Sequence, residues 1–92
     1  MKNFIYPAVV LYDDESKIFT MYFPDLTIVA EGESVEDVFF NGKKYLNKYM
    51  ELIVRESLEL DPPSSYEAIK KDYPQDLIVF VECILNDKNK AV

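Results

Sequence analysis

A chain of 92 residues has room for one sheet, one long helix and little else, so it is a single domain and a poor frame for a multi-step enzyme site. Seventeen Asp and Glu against ten Lys and Arg leave a formal net charge of −7, which argues against a large nucleic-acid footprint, because such footprints need clustered cations. His is absent, which removes the usual general acid/base, the commonest metal ligand and the near-neutral pH switch; the favoured partner is a basic protein.

The first apolar run, Phe4 to Tyr12, is β-branched and aromatic on both alternating faces and predicts a central strand, with Pro7 near its beginning where a missing donor is tolerated. No stretch approaches the ~18 apolar residues of a membrane span. This run is broken by Pro7 and followed at once by Asp13, Asp14 and Glu15, unlike a cleavable signal peptide. A cytoplasmic location is expected. Asp13-Asp14-Glu15-Ser16 predicts a turn, and Ile18 to Phe23 a second strand closing an antiparallel hairpin. Pro24-Asp25 ends that strand, Thr27 to Glu31 is a third, and Gly32-Glu33 turns the chain toward a helix.

Ser34 to Ser57 is the one segment long and periodic enough to back a small sheet. At about 100° per residue, Val35, Val38, Phe39, Gly42, Leu46, Tyr49 and Ile53 share one stripe, with Tyr45 and Met50 at its edges. Ser34 is the expected N-cap, and Glu33, Glu36 and Asp37 suit the positive helix end. Lys44, Lys48, Glu51 and Arg55 read as a solvated face, with Glu51 and Arg55 as an i,i+4 pair. Gly42 lies mid-stripe, where it costs about 1 kcal/mol relative to Ala, so close approach of helix and sheet is the expected compensation. Phe40, Val54 and Leu58 form an offset apolar line, either an extension of the core or a contact with another chain.

Asp61-Pro62-Pro63-Ser64-Ser65 breaks the helix, and Ser64 with Glu67 predicts a capping box for a short second helix ended by Tyr73-Pro74. Leu77 to Leu85 is the last strand. Only Glu82 interrupts a run apolar on both faces, so it wants cover on both: from the long helix on one, from the short helix or a second subunit on the other. Cys83 lies in this run and reads as a buried small hydrophobe in a reducing compartment; one thiol makes neither a disulfide framework nor a zinc site.

Tyr6-Pro7-Ala8-Val9-Val10, the acidic turn, Phe23-Pro24-Asp25-Leu26, Gly32-Glu33-Ser34-Val35-Glu36-Asp37 and Pro63-Ser64-Ser65 together resemble the HicB-type antitoxin domain, over roughly residues 4 to 65. The resemblance implies an α+β fold like a truncated ribonuclease H: three antiparallel strands, a long helix, a short helix and a fourth strand parallel to the first. It also implies a small basic HicA-type RNA-cleaving toxin as partner. This chain departs from the pattern after Leu26, where Thr27-Ile28-Val29 replaces the family's Pro-Gly pair and one residue fewer precedes Gly32. The chain ends soon after its last strand, so residues 1–92 are expected to form one HicB-like domain with no C-terminal DNA-binding segment and no direct nucleic-acid binding.

The candidate partner-binding residues are the carboxylates on turns and strand ends: Asp13, Asp14, Glu15, Asp25, Glu31 and Glu33. No catalytic, cofactor or metal site is expected. The main rival reading is an orphan HicB-like interaction module without a toxin, acting as a homodimer through Phe40, Val54 and Leu58. A more distant rival is a metal-dependent nuclease using Asp13, Asp14, Asp25 and Glu82, since ribonuclease H-like sites hold paired metal ions between carboxylates.

Overall fold

The computed structural model describes residues 1–92. In chain order it has β1 (Lys2–Asp13), β2 (Ile18–Phe23), β3 (Ile28–Gly32), α1 (Val35–Arg55), α2 (Tyr66–Asp72) and β4 (Leu77–Leu85). The strands form one sheet in the order β3-β2-β1-β4, with every neighbouring pair antiparallel.

Strand alternation decides which side chains meet α1. Tyr6 and Ala8 of β1, Met21 and Phe23 of β2, and Val81 and Cys83 of β4 share one face and pack against Val38, Leu46 and Met50 of the helix. The helix starts where its cap predicts, the Asp37 amide donating to Ser34 Oγ at 3.0 Å. It ends in a Schellman turn: Ser57 takes φ 54°, Ser57 N–H donates to the Val54 carbonyl at 3.3 Å and Leu58 N–H to the Ile53 carbonyl at 3.0 Å. Gly42 lets this packing close, because a Cβ there would run into Met21 Sδ.

Pro7 lies in the middle of β1, not near its beginning, since the strand extends back to Lys2. It is tolerated by register. It faces Phe80 in β4 at a position where neither residue bonds across the ladder, and on its other side β2 has already ended at Phe23.

The fourth strand runs antiparallel to β1, not parallel to it. β4 begins with Leu77 opposite Val10 and finishes with Leu85 opposite Lys2. A parallel strand would have to start where α1 ends, at the Lys2 end of the sheet. Residues 56–76 instead carry the chain back along the sheet first, held on the way at two points. Tyr6 Oη donates to the Asp61 carbonyl, and Ser64 N–H and Oγ–H donate to the Asp25 carboxylate at 2.8 and 2.5 Å. The short helix that follows covers the sheet face away from α1: Ile69 is buried, Val9 beneath is fully buried, and the Tyr73 ring meets Tyr22 at 6.5 Å. Its N-cap is Ser65, whose Oγ accepts from Ala68 N–H at 3.2 Å; Ser64, the expected cap, is taken by Asp25. No helix is long and apolar enough to cross a membrane.

Candidate functional site

Five of the six candidate carboxylates come together at one end of the sheet. Tyr12, Phe19 and Gly32 form one row across β1, β2 and β3, so the Asp13–Glu15 turn and the Glu31–Glu33 exit of β3 stand side by side. All five are exposed, and Glu36 and Asp37 in the first turn of α1 add to the same end. Asp13 also builds its own turn: Oδ1 accepts from Glu15 N–H at 3.2 Å and Oδ2 from Ser16 Oγ at 2.9 Å. Those bonds favour the ionised carboxylate and hold its pKa below the ordinary value. Asp13 is therefore a turn former as well as a surface charge; Asp14, Glu15 and Glu33 are free of such duty.

Asp25 is not part of this surface. It sits in the β2–β3 turn beyond Phe23, half-buried, where it anchors the return loop through Ser64. That turn is tight: Leu26 and Thr27 N–H both donate to the Phe23 carbonyl, at 3.1 and 2.8 Å, and Thr27 takes φ 53°. Nor are Asp13, Asp14, Asp25 and Glu82 brought together; no group of three or more acidic, Cys or His side chains is placed to hold a metal ion.

Phe40, Val54 and Leu58 differ in their surroundings. Val54 packs against the core, Leu58 belongs to the Schellman turn, and Phe40 stands 70% exposed beside β4. The Glu51–Arg55 pair is not formed either. Arg55 Nε meets Glu56 at 3.3 Å, and the Glu51 carboxylate instead accepts Ala91 N–H at 2.6 Å, tying down the C-terminal residues.

A second surface was not singled out in the sequence. Between the flank of α1 and the outer edge of β4 lies an open groove of about 680 Å³, lined by Phe40, Lys43, Lys44, Asn47 and Lys48 on the helix and by Phe80 on the strand. The sequence signals for it were the displaced Phe40 and the double-faced apolar run of Leu77 to Leu85. Cys83, on the helix-facing side of that strand, is buried, and burial pushes its thiol up to about 11. It is a core residue, not a nucleophile.

No family model and no curated protein matches the chain. Solved structures do. The architecture of one long helix seated on a four-stranded antiparallel sheet defines an α+β class, and within it the fold is that of HicB antitoxins. The N-terminal domain of Burkholderia pseudomallei antitoxin HicB superposes with a TM-score of 0.73 at 20% identity, over 85% of this chain and 95% of that one. The longer HicB structure from the same organism gives 0.71 at 20% identity, over 84% of this chain and 59% of its own. A toxin-antitoxin complex from Streptococcus pneumoniae gives 0.70 at 21% identity, over 88% of this chain and 69% of the matched one.

Proposed function

We propose that this chain is an antitoxin-like protein that binds and neutralises a small, basic, RNA-cleaving toxin of the HicA type, acting by occlusion and not by chemistry. The observation that carries the reading is the gathering of Asp13, Asp14, Glu15, Glu31 and Glu33 at one end of a HicB-type fold in a chain of net charge −7. Two of the structures with this fold are toxin-antitoxin complexes, which supports a toxin as the partner. Opposed charge across such an interface speeds encounter and sets specificity more than it adds affinity. The lone buried Cys83 fits a reducing compartment, which supports action in the cytoplasm.

The test is co-expression with the adjacent reading frame, which this reading expects to encode a short basic protein, followed by pull-down and by association kinetics. Changing Asp14, Glu15 and Glu33 together to Asn, Gln and Gln is expected to slow association about tenfold at low salt and far less at high salt. An unchanged rate removes this end of the sheet from the interface. Capture of no neighbour-encoded protein favours the orphan-module reading. Self-association is a separate expectation, and a monomer at high micromolar concentration by sedimentation overturns it.

A further inference from the structure

The groove beside β4 runs along an outer strand of the sheet. Because β4 is an outer strand, every second residue points its backbone groups away from the sheet. The outward set is identified by bonds the structure contains: the Glu82 carbonyl accepts from Lys43 Nζ at 2.8 Å and the Ile84 carbonyl from Val92 N–H at 3.1 Å. By alternation, Ile78 and Phe80 belong to the same set. Pro7 opposite Phe80 agrees, since it has no N–H to offer that strand. The C-terminal residues cover the edge near Leu85 and Lys43 holds the Glu82 carbonyl, leaving Ile78 and Phe80 open, with Leu77 and Phe80 more than half exposed.

The helix wall says what this edge accepts. Lys43, Lys44 and Lys48 gather three of the chain's ten cations along the same wall. A strand entering here finds unpaired backbone groups on one side, ammonium groups on the other, and Phe40 and Phe80 for apolar side chains. A second copy of this chain is disfavoured as occupant: antiparallel pairing of two β4 strands brings both sets of lysines to one seam against only Glu51 and Glu82 from each copy. Single-stranded nucleic acid would leave the strand edge unpaired. We infer that β4 and the lysine wall of α1 bind an extended segment of another protein in which apolar residues alternate with Asp or Glu, added as a fifth strand.

The test uses the whole 92-residue chain and a displayed library of random octapeptides. Enriched peptides are expected to be acidic and alternating, to bind more weakly as salt rises, and to protect the Ile78 and Phe80 amides from hydrogen exchange. Phe80→Pro removes an outward donor and leaves the β1 ladder whole, and it should weaken the selected peptide at least tenfold. Joint change of Lys44 and Lys48 to Gln should do the same and leaves the Lys43 bond to β4 in place, so the inference stands or falls on these lysines should Phe80→Pro fail to fold. Enrichment of basic peptides, no enrichment, protection elsewhere, displacement by single-stranded RNA, or a dimer abolished by Lys-to-Gln or Phe80→Pro change would each overturn it.

Discussion

The two edges of the sheet are finished differently. At β3 the strand has five residues, Gly32 lets its backbone close on the start of α1, and Asn41 Nδ2 caps the outward Glu31 carbonyl at 2.7 Å. At β4 the strand has nine residues, apolar on both faces, and α1 supplies only Lys43 to one carbonyl. The helix thus starts close against one edge and leaves the other standing off behind a groove. Exposed long apolar edges invite another strand, and proteins ordinarily blunt them. A long edge left open beside a lysine-bearing helix wall is a receptive surface, whereas the β3 edge is short and lies close under the start of α1.

Changes on the packed side should cost stability, and changes on the open side should cost binding alone. Leu46→Ala, which empties the contact between α1 and the sheet, is expected to lower unfolding free energy by about 3 kcal/mol in urea titration. A loss below 1 kcal/mol would mean that α1 is not the cover of this face. Gly32→Ala sets a Cβ 2.5 Å from Val38 N and 2.8 Å from Asp37 C, main-chain atoms that cannot swing aside, and should cost about 2 kcal/mol. Asp25→Ala frees Ser64 and should cost about 1.5 kcal/mol, loosening the return loop, as faster amide exchange from Ser64 onward would report. Phe80→Lys on the open edge should stay within about 0.5 kcal/mol of the parent.

The thiol between the two regions responds to pH in a defined direction. Cys83 is raised from 9.0 to about 11 by burial, so the folded state holds its proton more tightly than the unfolded chain. The stability this contributes is complete below pH 9 and is lost as pH rises toward 11. At pH 8 the native thiolate is scarcer by about a hundredfold, so thiol labelling should be slower by at least that factor than in urea. Equal rates would place Cys83 outside the core.

What could be read from the chain follows the same division between local and distant causes. The Ser34 cap, the Val38–Leu46 stripe and the bounds of β2 and β4 are written in neighbouring residues, and they formed as read. The direction of β4 is not, because Leu77 to Leu85 alternates identically whichever way it runs. Direction depends on Tyr6 meeting Asp61 and Asp25 meeting Ser64, bonds spanning 55 and 39 residues. Asp25 reads as a surface acid for the same reason: its partner Ser64 is far along the chain. The acidic end was legible because turns between paired strands fall at sheet ends. The groove was hidden because Lys43, Lys44 and Lys48 look like any solvated helix face until β4 is set beside them.

The antitoxin-like role is tested most directly by RNA cleavage. The account expects the adjacent reading frame to encode a basic protein that cuts RNA alone, and expects that activity to fall to background as this chain is added to stoichiometric amount. Cleavage that continues undiminished in tenfold excess of the folded chain would contradict the account.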